Sequence, residues 1–275
     1  MLIACRALIA FSVIALLNAC AAKPYAASNK AHKRQVNELS KMLKKMPGNS
    51  LLADSMKLPQ RWVGTTNFGL RKPNAVIIHH TAQKSCEQTL KTFTTTKSQV
   101  SSHYVICEDG TLHQMLNDYL RAWHAGAGKW SGQSDINSSS IGIEIDNDGT
   151  EPFTEAQINC LLGLLNKLKK TYSIATSNFI GHAEIAPIRK VDPSVIFPWQ
   201  RLAENGFGYW YDDTTGLQLP ADFNSSYALR IIGYDVNNLA AATTAFRRHF
   251  LTIDKAGEFT EPEKKVLYAV MRKCL

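Results

Sequence analysis

The sequence contains no CxxC pair and no finger-like spacing of cysteine and histidine, which argues against a structural zinc finger. The apolar run at residues 7–17 is shorter than the roughly 20 residues that a permanent membrane helix needs. Acidic residues are in the minority, with 23 Asp and Glu against 31 Lys and Arg and a net charge of +8. This basic excess is compatible with an anionic polymer as partner, but it does not identify one.

The N-terminal apolar run instead fits the h-region of a secretory signal. Leu17 and Ala19 precede Cys20 in an arrangement that resembles a bacterial lipobox. This pattern predicts a signal peptide at residues 1–19 and lipidation of Cys20, with membrane attachment through the acyl chains. Ala21 rather than Asp follows the cysteine, which implies the periplasmic face of the outer membrane. The alternative is a plain signal peptide that leaves a soluble periplasmic protein.

Export has two consequences for the rest of the chain. It makes nucleic acid an unattractive partner, and it places the remaining cysteines in an oxidising compartment that permits disulfides. Four cysteines allow three pairings, and the sequence cannot choose among them. These cysteines are Cys86, Cys107, Cys160 and Cys274.

Composition divides the exported chain into four segments. Residues 20–57 are polar and basic, and they fit either a solvated linker or a short amphipathic helix. Residues 58–211 are the globular part, which begins near Leu58 and ends where the chain changes character after Tyr211. Residues 212–225 form a connector, and residues 226–275 are predicted to form three helices.

The first candidates for metal-binding or catalytic residues lie in or directly after predicted strands. Residues 75–78 form a β-branched apolar run that reads as a buried strand, and His79 follows it. His80 should point the other way, because strand side chains alternate. Glu144 lies in a second apolar strand, two residues after Gly142, which leaves room for a group to approach. A glutamate in that position has the profile of a catalytic carboxylate.

The stretch at residues 181–193, GHAEIAPIRKVDP, contains His182, Lys190 and Asp192. Its prolines predict an ordered loop rather than a helix. A histidine nitrogen and an aspartate oxygen held close together are suitable ligands for zinc.

These residues together predict a hydrolytic site. His79, His182 and Asp192 can hold zinc as three protein ligands, which leaves one position for water. Glu144 can transfer the proton of that water, and the Lys190 ammonium can stabilise an oxyanion.

Further elements are predicted from local patterns. They are a helix at 85–97, a hairpin of strands at 101–107 and 111–116, and a helix from 154 to about 170. Thr154 and Gln157 predict a capping box at the start of that last helix.

Five motifs occur in order along the chain: IIHHTA at 77–82, SSHY at 101–104, AWHAG at 122–126, NSSSIGIEIDN at 137–147 and GHAEIAPIRKVDPSVIFPWQRL at 181–202. Their order and spacing resemble the zinc N-acetylmuramoyl-L-alanine amidases of the amidase_2 type, including outer-membrane lipoprotein members. The resemblance covers roughly residues 58–211. It implies an α/β fold with a central mixed β-sheet flanked by helices.

The resemblance also implies roles for individual residues. His79, His182 and Asp192 would bind zinc, Glu144 would be the general base or acid, and Lys190 would assist at the oxyanion. The residues implied for the substrate groove are Trp123 and His124. Two positions depart from the family pattern, namely His80 in place of Tyr and Glu184 in place of Asp.

The implied partners are peptidoglycan or muropeptides, with the anhydro form included, and the protein is expected to be a monomer. Residues 226–275 are similar to a small all-α peptidoglycan-binding module. The alternative is an ordinary helical cap packed on the catalytic domain, and the two interpretations are not exclusive. The leading hypothesis is hydrolysis of the amide between N-acetylmuramic acid and L-alanine. The alternatives are a recognition protein without activity and a tether between membrane and wall. Retention of the complete hydrolytic set favours the enzyme.

Overall fold

The computed structural model describes residues 24–45, 65–67 and 69–275. The predicted signal peptide, Cys20 and the predicted domain start at residue 58 lie outside these residues. The chain divides into two compact units, Met1–Phe68 and Gly69–Leu275. The second unit therefore includes residues 69–211 of the predicted amidase region and the C-terminal helices.

In the first unit, helix α1 spans Ala26–Lys45. The amphipathic helix is thus the alternative that the structure adopts for this part of the basic segment. Val36, Leu39 and Leu43 fall at helical spacing and are exposed. Among the described residues, no helix combines the length and the apolar character needed to cross a membrane.

The second unit contains five strands and eight helices among its described residues, together with three short 3-10 turns. The strands are β1 (Ala75–His80), β2 (Tyr104–Ile106), β3 (Leu112–Gln114), β4 (Ser140–Ile145) and β5 (Phe179–Gly181). The helices are α2 (Cys86–Thr94), α3 (Ile136–Ser139), α4 (Glu155–Tyr172), α5 (His182–Ile185), α6 (Trp199–Glu204), α7 (Ser225–Ile232), α8 (Leu239–Phe250) and α9 (Glu261–Arg272).

The strands form one mixed sheet in the order β3-β2-β4-β1-β5. Strands β2, β4, β1 and β5 are parallel, and β3 is antiparallel to β2. The register places His79 directly beside Glu144 on the neighbouring strand. The carboxyl ends of β1 and β4 and the chain leaving β5 therefore meet at one edge of the sheet, where α/β folds commonly place their sites. The predicted α/β fold with a mixed sheet is confirmed.

Helices cover both faces of the sheet. One face presents Ile141, Ile143 and Ile145 to helix α4, whose apolar side chains form the first core cluster. The opposite face carries Ile77 and Ile180, which belong to a second cluster with apolar residues of α7, α8 and α9. The C-terminal helices therefore pack on the α/β core as a cap.

Helix α4 begins as predicted. Thr154 Oγ1 accepts a hydrogen bond from Gln157 N–H at 3.1 Å, and Gln157 Oε1 accepts one from Thr154 N–H at 3.0 Å. This reciprocal pair satisfies two of the free donors of the first turn.

The predicted loop at 181–193 is wrong at its start, because His182–Ile185 forms one turn of helix. The Glu184 carboxylate accepts a hydrogen bond from Gly181 N–H at 2.6 Å. A glutamate at this position caps the turn from within. The prolines follow the turn, so they do not prevent it.

The structure also shows which of the four cysteines are paired. Cys86 and Cys107 form a disulfide with their Cα atoms 5.2 Å apart. Cys160 and Cys274 are free thiols.

Candidate active site

The predicted zinc ligands converge at the carboxyl edge of the sheet. His79 comes from the end of β1, His182 opens helix α5, and Asp192 follows on the next loop. His79 Nδ1 lies 2.9 Å from His182 Nδ1 and 3.1 Å from Asp192 Oδ2, and His182 Nδ1 lies 3.0 Å from the same oxygen. All three side chains are buried. The structure thus brings together residues that are more than 100 positions apart in the sequence.

The surroundings favour the neutral form of His79 and the ionised form of Asp192. Burial, and next the charge of His182, lower the pKa of His79 to about 4. Burial disfavours the Asp192 carboxylate, but the contacts with His182 and then His79 outweigh it and hold the pKa of Asp192 well below its usual range. At neutral pH His79 is therefore a neutral imidazole and Asp192 a carboxylate, which are the forms that a metal requires of such ligands.

The donor chemistry of this set fits a cation. His182 Nε2 lies 3.1 Å from the carbonyl oxygen of Ala125, and a carbonyl only accepts, so Nε2 carries the proton. With its proton on Nε2, a neutral His182 has a lone pair on Nδ1, which faces His79 Nδ1 and the Asp192 carboxylate. Lone pairs that face one another in a buried site call for a positive charge between them, and nitrogen and oxygen donors suit zinc.

Glu144 lies next to the three converging residues. Its Oε1 is 3.9 Å from His79 Nδ1. Burial, and next the charge of Asp192, raise the pKa of Glu144 well above its usual value, while Lys190 partly opposes the shift. A carboxyl group with a raised pKa can both take up and release a proton near neutral pH. Its strand position at this edge is the one that the sequence predicts.

Lys190 is half-buried, and its charge acts on both Glu144 and His79. No ion-pair partner for its ammonium occurs among the described residues. A cation in this position is available to a negative charge that develops on a substrate.

Trp123 and His124 do not share one surface. The Trp123 side chain is exposed, with 52% of its area accessible. His124 is buried behind His79, and its Nδ1 lies 3.2 Å from His79 Nε2. The groove role implied for His124 stays a prediction; in this structure its ring is buried and fills the space that Gly142 leaves against β4.

Sequence reasoning missed three residues that hold this region. Ser140 contacts His124, and Asn137 binds the backbone of residues 124 and 125. The third is Ala125, through its carbonyl. Only the glycine at 142 gave a signal for this arrangement, because it indicated that some group approaches β4.

Comparison with known proteins finds a family model that matches the part of the chain containing this site. Residues 69–195, which include all five predicted catalytic and metal-binding positions, match Amidase_2, described as N-acetylmuramoyl-L-alanine amidase. This segment is thus similar to the Amidase_2 family. The Amidase_2 segment contains every strand of the sheet.

Two curated relatives match parts of the chain. N-acetylmuramoyl-L-alanine amidase AmiD of Escherichia coli (strain K12) is 38% identical over 153 residues, which are 50% of this chain and 54% of AmiD. 1,6-anhydro-N-acetylmuramyl-L-alanine amidase AmpD of Haemophilus influenzae is 39% identical over 104 residues, which are 38% of this chain and 56% of AmpD. The chain spans about half the length of the curated relatives it matches.

Solved structures extend the similarity beyond the Amidase_2 segment. AmiD from E. coli, in complex with the substrate anhydro-N-acetylmuramic acid-L-Ala-D-gamma-Glu-L-Lys, has a TM-score of 0.65 and 29% identity. The match covers 76% of this chain and 93% of that chain. AmpDh3 from Pseudomonas aeruginosa has a TM-score of 0.67 and 29% identity, with 77% and 96% covered.

Proposed function

We propose that this protein is a zinc-dependent N-acetylmuramoyl-L-alanine amidase, which hydrolyses the amide between N-acetylmuramic acid and L-alanine. The observation that carries the proposal is the buried convergence of His79, His182 and Asp192 with Glu144 alongside, inside the Amidase_2 segment. A recognition protein without activity would have no need of the buried, proton-accepting Glu144.

His79, His182 and Asp192 would hold the zinc, which when bound supplies a Lewis acid that polarises the scissile carbonyl and acidifies water. Glu144 accepts a proton from the attacking water, and its raised pKa keeps that proton available for the leaving amine. Lys190 supplies positive charge for the carbonyl oxygen as it becomes negative. The fixed positions of these groups reduce the reorganisation that the reaction requires.

The proposed substrates are peptidoglycan and its muropeptide fragments, with the anhydro form included. Support comes from AmiD, whose described complex contains an anhydro-N-acetylmuramic acid peptide, and from AmpDh3, which was solved with anhydromuramic pentapeptide. Trp123 offers an exposed aromatic surface one residue from the segment behind His79. Reaction at this bond would serve turnover or recycling of the cell wall.

Mass spectrometry of the products tests the proposed function. The full chain is incubated with sacculi and, separately, with anhydro-muropeptides, each with and without a chelator. We expect free stem peptides that begin with L-alanine, and no such products in the chelated samples. Binding to either substrate without release of peptides would instead support the recognition protein.

We further propose that the protein is lipidated at Cys20 and attached to the periplasmic face of the outer membrane. The support is the lipobox-like sequence and the Ala21 that follows it, both outside the described residues. Cys20→Ala should move the protein from the membrane fraction to the soluble fraction. Unchanged fractionation of the variant would contradict the lipid anchor.

A further inference from the structure

The backbone and side chain at positions 124 and 125 contact both histidines of the proposed metal site. His124 Nδ1 lies 3.2 Å from His79 Nε2, and the Ala125 carbonyl lies 3.1 Å from His182 Nε2. In both cases the contacted nitrogen is the one that faces away from Asp192. This two-residue segment therefore lies behind the site and contacts each ring from its outer side.

Hydrogen-bond directions beyond His124 determine where the protons lie. Ser140 Oγ donates its single proton to the carbonyl of Ile136 at 2.7 Å. Since that hydroxyl has no second proton, Ser140 Oγ accepts from His124 Nε2–H, at 3.3 Å. A neutral His124 then has an unprotonated Nδ1, which accepts from His79 Nε2–H.

This series of hydrogen bonds determines the state of His79 Nδ1, the atom that faces the proposed metal. With its proton on Nε2, a neutral His79 has a free lone pair on Nδ1, directed at His182 Nδ1 and Asp192 Oδ2. The opposite tautomer would place a proton in the space where the three residues meet. It would also require the Ser140 hydroxyl to leave the carbonyl of Ile136.

The segment is itself held firmly. Asn137 Oδ1 accepts hydrogen bonds from the backbone N–H groups of His124 at 3.0 Å and of Ala125 at 2.9 Å. A Cβ atom at Gly142 would overlap the His124 ring, so only glycine permits the ring to lie there. Two independent features thus place the imidazole against β4.

We propose that His124 is a positioning residue that, together with Ser140, fixes the Nε2–H tautomer of His79 and directs its Nδ1 lone pair at the zinc. The proposal rests on the proposed zinc-dependent function. Histidine ligands of metals generally donate their other N–H to a partner that fixes tautomer and orientation. Because the partner here is a buried neutral imidazole, it orients His79 without adding a negative charge to the site.

Zinc affinity tests the positioning role separately from activity. Dissociation constants are measured on the full chain by competition with a chelator for wild type, His124→Phe and His124→Asn. Phenylalanine fills the space without accepting a proton, and we expect it to weaken binding about 10- to 100-fold. Asparagine offers an amide oxygen near the place of Nδ1, so it should restore most of the affinity. The control His32→Phe removes an exposed histidine of α1 and should bind zinc as wild type does.

Each outcome has a separate meaning. A wild-type chain that binds no zinc would contradict the proposed function. Wild-type binding together with an unchanged His124→Phe affinity, or an asparagine variant no better than phenylalanine, would contradict only the positioning role.

Nitrogen NMR of the zinc-loaded wild type gives a second reading that needs no variant. We expect His79 and His182 both to carry their proton on Nε2. A proton on Nδ1 of His79 would overturn the proposal, whatever the variants do.

Discussion

Glu144 is a carboxyl group that the fold buries at the edge of its sheet, within electrostatic reach of Asp192. Both burial and the neighbouring charge disfavour its ionised form, which raises its pKa. The same shift suits it to exchange a proton during amide hydrolysis. A buried carboxyl group with a raised pKa lowers the stability of the folded chain wherever it must ionise.

Replacement of Glu144 by Gln should separate catalysis from metal binding. We expect the rate of amide hydrolysis to fall by about 10²- to 10⁴-fold, because the amide cannot exchange the proton. Zinc content should stay at the wild-type value, since Glu144 is not one of the three converging ligands. Steady-state kinetics and metal analysis on one preparation measure both quantities. A mild loss of rate would remove Glu144 from the proton-transfer role.

The Glu144→Gln variant should also differ from wild type in its pH dependence of stability. In the metal-free protein the pKa of Glu144 is higher in the folded than in the unfolded state. Its contribution to the free energy of unfolding is therefore most favourable at low pH and is lost as the pH rises from the unfolded-state pKa to the folded-state pKa. Glutamine does not titrate. The stability of the variant relative to wild type should therefore increase from about pH 5 to about pH 8, with each unit of pKa shift worth about 1.4 kcal/mol. Urea unfolding at both pH values measures the difference.

Individual residues were predictable from the sequence to different degrees. His79 and Glu144 lie at the ends of short β-branched strands, so local alternation sufficed to place them at the opening of the sheet. His124 was not predictable in the same way. Its position depends on Gly142 and Asn137, whose contacts with residue 124 exist only after the strands have paired.

At the scale of elements, strand β4 and the segment behind His79 depend on each other. Gly142 faces the His124 ring, whereas Gly163 of helix α4 has open space around it. The two glycines therefore form a matched pair for substitution by alanine.

Gly142→Ala should displace the His124 ring, destabilise the protein by about 1–3 kcal/mol through overpacking and weaken zinc binding. Gly163→Ala should leave zinc binding unchanged and add up to about 1 kcal/mol of stability, because alanine is the better helix former. Chemical denaturation and the chelator competition measure both effects. Equal behaviour of the two variants would show that the space at Gly142 is not needed.

Where the local sequence gave one clear signal, the element formed as predicted. Where local signals competed, the prediction was wrong. The capping box of Thr154 and Gln157 predicted the start of α4 correctly. The prolines after Ile185 predicted a loop, but the Glu184 carboxylate stabilises one helical turn before the first proline is reached. The Glu184 carboxylate also accepts a hydrogen bond from Tyr234, which lies 50 positions further along the chain. No local sequence pattern reveals this contact.

At the scale of the whole molecule, the C-terminal helices are part of the structure that supports the site. Tyr234, from the turn after α7, donates a hydrogen bond to Glu184 Oε1 at 3.0 Å, and both residues are buried. Glu184 in turn binds the backbone of Gly181, beside His182. Residues 226–275 were predicted as a separate small domain, and in the structure they pack into one compact unit with the sheet.

Tyr234→Phe should leave the buried Glu184 oxygen without its donor and destabilise the unit by about 1–3 kcal/mol. The exposed Tyr227 of α7 provides the control, and Tyr227→Phe should change stability by no more than about 0.5 kcal/mol. In calorimetry of the full chain, residues 69–275 should unfold in one transition. In Tyr234→Phe the whole transition should move to a lower temperature. Two separate transitions would support an independently folding C-terminal domain.

The disulfide is another property that belongs to this scale. Four cysteines allowed three pairings, and the fold selects one because the first turn of α2 lies beside the end of β2. Nothing in the local sequence around Cys86 or Cys107 distinguishes that pairing from the others.

The central claim is that one zinc ion, held by His79, His182 and Asp192, is required for amidase activity. The most direct test is to strip the full chain of metal, add zinc in known amounts and record amide hydrolysis and bound zinc in the same samples. Activity should rise in proportion to bound zinc and level off at about one ion per chain, and Asp192→Ala should remain inactive at that zinc concentration. Full turnover by the metal-free chain would contradict the account.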